Sequence, residues 1–465
     1  MLVQSLRQEG LGCLTHLVAD ERAGEGVVID PVLDVGPVLE AARQAEVEIR
    51  HVVDTHLHAD HVSGVRALGR KTGAAIHMPA NAGVRFDHEP LADGDAIDVG
   101  DVSLLARRAP GHTPEHLVLF ASEAGAPPYA AFTGDTLFVG SVGRPDLVGE
   151  ADARALAADL HATLSGVLGP VADGTIVHPG HGLGSACGSI ASPLTVSSFG
   201  YERATNGFLG ERDRAAFTAR VLDDLPPKPG NAVRIKQLNR EGPPVAMPTR
   251  EAVPALDPRA FADAVGDGRD VLIIDLGEPD AFGANHVAGS VDVPFSQAAF
   301  PARAANLVEL GLPIYVVGPN GDQVAAAVRA LALVGGLDVR GWLEGGLPAW
   351  RAAGLPFATL EGVSANAARA PILDVRSRAE WEAGHAPGAT WIPLEDVASR
   401  FDELDRDAAW TVTCGSGYRS ATAASLLARA GFPRVANLLG GMAAWKAASR
   451  PLEKPSEAAG RATRT

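Results

Sequence analysis

The sequence predicts a multidomain chain of mixed α/β and α+β class, on three observations. At 465 residues it has room for about three domains. Through the first half, apolar strand-like segments end repeatedly in loops rich in histidine and aspartate. Through the second half, a pattern of about 97 residues occurs twice. Each copy alternates apolar strand runs with helical stretches, which indicates a parallel-sheet α/β unit.

The first of the polar loops is Thr55-His56-Leu57-His58-Ala59-Asp60-His61, one residue after Val52-Val53. A strand end that runs into a loop turns several such side chains towards one point. Imidazole with carboxylate suits zinc, iron or manganese rather than calcium. Pro110-Gly111-His112-Thr113-Pro114-Glu115-His116 follows the strand-like Val102 to Leu105. Thr133-Gly134-Asp135-Thr136 follows Ala130 to Phe132, and His178-Pro179-Gly180-His181 follows Thr175 to Val177. Half of the fourteen histidines fall in these motifs, a density that scattered surface histidines do not give. The order and spacing resemble the metallo-β-lactamase superfamily over roughly residues 1 to 245. That resemblance implies an αββα sandwich with metal held between its two sheets.

Other polar residues of this region read as structural. Cys13 sits on an early strand with no polar cluster in its neighbourhood of sequence, and is expected to be structural. His51, His77, His88 and His161 are expected to be solvated or packed.

Composition excludes several classes. The formal net charge of −16 argues against nucleic acid or an anionic membrane as a partner, since counterion release needs a basic face. Hydrophobic residues at 46% with 21% charged are ample for large cores. Three cysteines cannot form a disulfide framework, which points to a reducing compartment. The start, Met1 to Glu9, lacks a basic segment followed by a long apolar one, and no apolar run approaches the ~20 residues that span a bilayer. The expected location is cytoplasmic, with no membrane partner. A homo-oligomer is compatible with the composition.

Proline and glycine mark the seams. Pro226-Pro227-Lys228-Pro229-Gly230 and Gly242-Pro243-Pro244 read as stiff linker, and a second seam runs from Ala358 to Arg369. Between the seams lies the repeat. Val271-Leu272-Ile273-Ile274-Asp275 is echoed by Pro371-Ile372-Leu373-Asp374, and His286-Val287-Ala288-Gly289 by His385-Ala386-Pro387-Gly388. Pro294 matches Pro393, and Gly345-Gly346-Leu347-Pro348-Ala349-Trp350 matches Gly440-Gly441-Met442-Ala443-Ala444-Trp445. Helical stretches are expected over Val324 to Leu333 and Ala421 to Ala430. The Gly-His-x-Pro-Gly-Ala pattern and the closing Gly-Gly-x-x-x-Trp resemble the rhodanese family of sulfurtransferases.

The second copy carries the chemistry. The strand Thr411-Val412-Thr413 leads into Cys414-Gly415-Ser416-Gly417-Tyr418-Arg419-Ser420 and then a helix. A cysteine in such a loop sits among inward-pointing backbone N–H groups. These, with Arg419, stabilise a thiolate and a persulfide anion. Cys414 and Arg419 are therefore the expected catalytic pair, with Gly415, Ser416, Gly417 and Tyr418 lining the substrate. Four residues separate Cys414 from Arg419, the span of rhodanese sulfur-carrying loops, whereas the related dual-specificity phosphatases use five. In the first copy Gly318 stands at the cysteine position and Gln323 at the arginine position. That copy is expected to be catalytically silent.

For the metal region, the full ligand inventory would serve a two-zinc hydrolase of the glyoxalase II kind. His56, His58 and His112 would hold one metal, Asp60, His61 and His181 the other, with Asp135 bridging. The subset His56, His112 and Asp135 instead suits one Fe(II) per chain and leaves about three positions open. His58, Asp60, His61 and His181 then orient ligands and water. Persulfide dioxygenases resemble this chain in using that subset. They also share Thr-His-x-His-Ala-Asp-His, Gly-Asp-Thr-Leu-Phe and the following Gly143-Arg144. Gly182-Leu183-Gly184-Ser185-Ala186-Cys187-Gly188 resembles a run in persulfide dioxygenase–rhodanese fusions that places a second cysteine near the metal cleft. Arg144 and Cys187 are accordingly candidate substrate-binding residues, with a structural ion pair as the equal alternative for Arg144 and an inert packed residue as that for Cys187. The ligands alone leave one iron and two zincs open, and a persulfide-bearing cysteine in the same chain favours iron.

The resemblance thus implies a persulfide dioxygenase domain over residues 1–245, a silent rhodanese-like domain over 250–357, an active rhodanese domain over 362–453 and a flexible tail over 454–465. The expected partners are a small thiol persulfide, dioxygen, and sulfite or thiosulfate. A zinc thioester hydrolase with an accessory sulfurtransferase is the main alternative. A sulfur carrier with a structural metal is a third reading, disfavoured because seven potential ligands exceed a closed four-coordinate site.

Overall fold

A computed structural model describes residues 1–454 apart from 148, 149, 186, 190, 191, 224, 226, 227 and 309. They form two compact units, Met1–Met247 with Ala332–Gly335, and Pro248–Leu331 with the residues from Gly336 onward. Most of the expected tail and the Pro226-Pro227 part of the first seam lie outside the described residues.

The first unit is built on two six-stranded sheets. One runs in chain order through Leu2–Arg7, Leu14–Asp20, Glu25–Ile29, Glu48–Val53, Ala75–Pro79 and Glu89–Leu91, antiparallel at first and parallel from Glu25–Ile29 on. The other orders Ser197–Ser198, Ile176–Pro179, Ala130–Gly134, Leu117–Glu123, Val102–Arg108 and Ala96–Val99. Val18, Val27, Ile29 and Val53 of one sheet share a core with Leu104, Leu117, Leu119 and Phe132 of the other. Each such side chain contributes about 1.5–3 kcal/mol on burial, which holds the sheets face to face. Helices cover the outer faces: Gly36–Gln44 and Val65–Thr72 on one side, Glu150–Gly166 and Arg214–Asp223 on the other. This is the αββα sandwich the motifs imply, and all four motif loops leave strand ends.

Between the two proline-glycine stretches expected to be linker lies a helix, Ala232–Glu241. Its buried face, with Ala232, Ile235 and Asn239, explains why proline on either side does not leave the segment extended.

In the second unit the sequence repeat is a structural repeat. Both copies form five-stranded parallel sheets of one order. The first is Ala255–Leu256, Val339–Leu343, Ile314–Val317, Leu272–Asp275, Ser290–Asp292, and the second Glu361–Val363, Val435–Leu438, Trp410–Thr413, Ile372–Asp374, Thr390–Trp391. The second seam is therefore not bare linker, because Glu361–Val363 supplies an edge strand. Helices Gly321–Leu333 and Tyr418–Arg429 occupy the two expected helical stretches and begin three residues earlier. The copies touch where Thr422 Oγ1 donates to the Asp292 carbonyl at 2.7 Å and the Asp292 N–H donates to Ser425 Oγ at 3.0 Å. Before the described chain ends, Glu453 exchanges two backbone hydrogen bonds with His385. Among the described residues no helix is long and apolar enough to cross a membrane.

Candidate metal centre and sulfur loop

The strand Glu48–Val53 ends against Asp30, which closes the neighbouring strand Glu25–Ile29. Asp30 accepts from the Thr55 N–H at 2.6 Å and from Thr55 Oγ1 at 2.9 Å. Because the Thr55 hydroxyl proton is committed to Asp30, its oxygen accepts from His56 Nδ1 at 2.9 Å. That leaves His56 Nε2 as a lone pair. His112 is fixed the same way, with Nδ1 donating to the Arg144 carbonyl at 2.8 Å. Asp135 accepts on Oδ1 from His181 Nδ1 at 2.6 Å.

What remains is a set of buried atoms with no hydrogen-bond partner: His56 Nε2, His112 Nε2 and Asp135 Oδ2. They converge, with Oδ2 at 3.7 Å from His56 Nε2 and 3.4 Å from His112 Nε2. All three residues are fully buried. Burial and the neighbouring histidines hold His56 well below the ordinary imidazole range, and burial lowers His112. Both are thus neutral, the form that binds a metal. Burial works to raise Asp135, but His181 and His112 outweigh it and keep the carboxylate ionised. Unpartnered buried polar atoms cost free energy unless something fills the gap, and two imidazoles with a carboxylate fit a divalent transition metal.

The remaining motif residues close on one another. His181 Nε2 donates to Asp60 Oδ2 at 2.8 Å, and His61 Nδ1 lies 3.1 Å from Asp60 Oδ1. Despite burial, Asp135 and Asp60 hold His181 well above its ordinary value, so it donates from both nitrogens as an imidazolium. His58 turns Nε2 to Asp30 at 3.3 Å and to Asp54 at 3.7 Å. His58 Nδ1 and His61 Nε2 are also without partners.

Cys13 corrects an expectation. Its backbone bridges to His181, and its thiol lies 3.4 Å from both Asp60 Oδ2 and His61 Nδ1. It belongs to the polar cluster rather than to an inert strand. His51 and His77 pair with each other at 3.0 Å, while His88 and His161 bond backbone carbonyls.

Arg144 takes the structural ion pair that the sequence left open beside substrate binding. Its guanidinium is buried in an ion pair with Asp146, at 2.7 and 3.0 Å, so it reaches the centre through its carbonyl on His112. Cys187 is buried, and its sulfur, Asp135 and His181 all offer donor atoms within 4.8 Å of one another. Burial, with Asp60 and Asp135 nearby, pushes that thiol well above its ordinary value.

Three residues that sequence reasoning passed over hold the centre. The Leu57 N–H donates to Glu115 at 3.1 Å. Asn239 donates to the carbonyls of His58 and His61 at 3.0 and 2.9 Å, pinning the loop. His116 Nε2 accepts from the Asp135 N–H at 3.0 Å and its ring stacks on His56. Of these Glu115 and His116 carried a signal, their place in the second motif, and Asn239 carried none.

In the second unit Cys414 follows the strand Trp410–Thr413, fully buried at the foot of the helix Tyr418–Arg429. The Gly417 N–H donates to Cys414 Sγ at 3.1 Å and Ser420 Oγ lies 3.4 Å from it. Gly417 has φ of +96°, a backbone state that the missing Cβ permits. Ser420 donates to Asn437 Oδ1 at 2.7 Å, and Asn437 returns a bond to the Gly417 carbonyl at 3.1 Å. The next helix roofs the loop: Met442 N–H donates to the Cys414 carbonyl at 2.7 Å and Ala443 N–H to that of Gly415 at 3.0 Å. A Cβ at Gly441 would run into the Cys414 carbonyl.

Arg419 is tied to Glu380 by two bonds of 2.8 and 2.7 Å. Partial burial works to raise Glu380, but the guanidinium outweighs it and holds the carboxyl down at about 2. Ser416 and Tyr418 are exposed, and Tyr418 donates to Glu278 of the first repeat at 2.8 Å. At the matching position of the first repeat, a Cβ on Gly318 would lie 2.9 Å from Val324 Cγ2 and 3.1 Å from Leu276 Cδ1. Hydrophobic side chains fill the space a sulfur would take.

Comparison with known proteins agrees with this architecture. The metallo-beta-lactamase superfamily model matches residues 9–167, and the rhodanese-like domain model matches 257–353 and 359–448. A probable metallo-hydrolase of Burkholderia pseudomallei is 32% identical over 202 residues, covering 36% of this chain and 68% of that protein. A hydroxyacylglutathione hydrolase of Nitrosococcus oceani is 36% identical over 169 residues, covering 36% and 60%. The chain thus spans between about half and two thirds of the first curated relatives it matches. A crystal structure of a metallo-beta-lactamase from Staphylococcus aureus superposes with a TM-score of 0.64 at 26% identity, over 73% of this chain and 98% of that one. Two sheets with convergent histidines, followed by a duplicated parallel-sheet unit, have the same assignment by both routes: the chain belongs to the metallo-β-lactamase superfamily and carries two rhodanese-like domains.

Proposed function

We propose that the chain is an iron-dependent persulfide dioxygenase coupled to sulfur transfer at Cys414. The observation that carries this reading is the contrast between the two donor sets. His56 Nε2, His112 Nε2 and Asp135 Oδ2 are left without partners, whereas Asp60 and His181 satisfy each other beside Cys13 and His61. One metal held by two imidazoles and a carboxylate, with positions to spare, is the arrangement that suits non-haem Fe(II). Bound iron would supply the redox chemistry that joins dioxygen to a sulfane sulfur.

The residues around it have assignable work. Thr55 and the Arg144 carbonyl fix the tautomers of His56 and His112. His181, charged between two carboxylates, holds Asp135 by one oxygen and leaves the other for the metal. The balanced reaction takes a thiol persulfide, dioxygen and water to the free thiol, sulfite and protons. At Cys414 the loop N–H groups receive the negative sulfur, so that sulfite can take sulfane sulfur as thiosulfate or thiosulfate can give it back.

A second reading, a binuclear zinc thioester hydrolase, is favoured by the relatives named hydroxyacylglutathione hydrolase and by the unpartnered His61 Nε2. Anaerobic purification, metal quantification and dioxygen uptake with several low-molecular-weight persulfides separate the two. One iron per chain with sulfite formation supports the first. Two zincs with thioester turnover and no dioxygen uptake overturns it.

A further inference from the structure

The sulfur loop poses an electrostatic problem. Thiosulfate is a dianion and a thiolate is an anion, so their approach in a buried loop needs positive charge. Arg419 is the expected source, but both its terminal nitrogens are held by Glu380, and that pair is close to neutral overall.

A second guanidinium stands over the loop, and it comes from the other repeat. Arg303 lies on the helix Phe300–Val308 of the silent copy, with its guanidinium carbon 5.3 Å from the centre of the Tyr418 ring. Its hydrogen bond runs to the Pro294 carbonyl at 3.3 Å, and among the described residues no carboxylate forms an ion pair with it. The carboxylate with the best claim on it, Asp292, has no hydrogen-bond partner on either oxygen. Burial and the neighbouring Asp275 push Asp292 up to about 9, so it is neutral near pH 7 and does not cancel the arginine. Burial lowers Arg303, opposed first by the nearby Cys414 and then by Asp292 and Tyr418. Tyr418 is anchored to the silent copy by its bond to Glu278, which keeps the ring under the guanidinium.

We propose that the silent repeat supplies Arg303 as the anion-binding group of the Cys414 site, there to hold the sulfonate end of a small sulfur oxyanion. The inference rests on the reading of Cys414 as a sulfur carrier. In the transfer step the Cys414 thiolate attacks the outer sulfur of thiosulfate. A new S–S bond forms at Sγ, the old S–S bond breaks, and sulfite leaves with the electron pair. Three negative charges are present before and after the step. Arg303 steadies the two on the oxyanion, while the loop N–H groups take the one on the cysteine sulfur. The silent copy has thus kept a part in the chemistry without a nucleophile of its own.

The test uses the full-length protein with Arg303→Ala and Arg303→Lys, and two readouts. Thiosulfate:cyanide sulfur transfer should show KM for thiosulfate raised about tenfold in Arg303→Ala, with a smaller loss in kcat and partial recovery in Arg303→Lys. Alkylation of Cys414 gives a measure independent of turnover. The ratio of the rate with anionic iodoacetate to that with neutral iodoacetamide should fall about fivefold in Arg303→Ala and be restored by lysine. A folded Arg303→Ala protein with both KM and the alkylation ratio unchanged overturns the proposal. If Arg303→Ala fails to fold, Arg303→Lys and Arg303→Gln decide it, since an equal KM in the two excludes a role for the charge. If the unaltered protein transfers no sulfur, the sulfur-carrier reading falls, and the alkylation ratio still decides whether Arg303 attracts anions to Cys414.

Discussion

His181 Nδ1 donates to Asp135 Oδ1 at 2.6 Å, and this one bond divides the carboxylate into a committed oxygen and a free one. The free oxygen faces His56 and His112 and completes the donor set proposed to hold the metal.

Replacing His56, His112 or Asp135 with alanine should abolish both metal binding and dioxygen uptake. His61→Ala or His181→Ala should retain close to one metal per chain, with affinity lowered about 10- to 100-fold as Asp135 loses its orientation. Metal analysis of the purified variants checks this. Loss of one of two bound metals in His61→Ala would support the binuclear reading.

Cys414→Ser should eliminate thiosulfate:cyanide sulfur transfer and leave sulfite production from an added persulfide largely intact. Parallel assays on one preparation suffice. Loss of dioxygen uptake in a folded, metal-loaded variant would mean that Cys414 feeds the metal centre obligatorily.

Gly318→Cys with Gln323→Arg, in a Cys414→Ser background, is expected to stay inactive. The new Cβ meets Val324 at 2.9 Å, closer than a Cβ sits without movement, and Leu276 at a tight 3.1 Å, and overpacking of this kind costs about 1–3 kcal/mol. Adding Val324→Ala should relieve the clash and give a measurable, weak sulfur transfer. Equal activity with and without that third change would show that the filled pocket is not what silences the copy.

Asp292 gives a pH prediction. Its carboxyl is raised above the unfolded value, so its contribution to stability is present below about pH 4 and is lost as pH climbs through about 9. Asp292→Asn should therefore raise the melting temperature of the second unit, with a larger gain at pH 8 than at pH 5. A gain that does not grow with pH would show that Asp292 ionises normally in the folded chain.

The candidate centres were legible in the sequence to the extent that their residues are close together in it. His56 to His61 and Cys414 to Arg419 are short runs leaving a strand, so both the donors and their common direction can be read from order and spacing. Cys13 was misread because its contact with Asp60 spans 47 residues, and nothing near Cys13 in sequence is polar enough to announce it. Asn239 reaches the His58 carbonyl across 181 residues and from a helix hidden among prolines that suggest linker. For Arg144 the sequence left a structural ion pair open beside substrate binding, and its partner Asp146, two residues on, shows only in the packed structure. The repeat was plain from its echoes. That Arg303 of one copy stands over Tyr418 of the other depends on how the two copies pack, which no pattern within either copy encodes.

The Cys414 loop is roofed by Met442 and Ala443, which hold the carbonyls of Cys414 and Gly415. These partners are made after the cysteine during synthesis, from the last helix of the duplicated unit. A chain that ends short of Gly440 would keep the thiol and its bond from the Gly417 N–H, and would lack the two backbone bonds that hold the carbonyls of the loop in place.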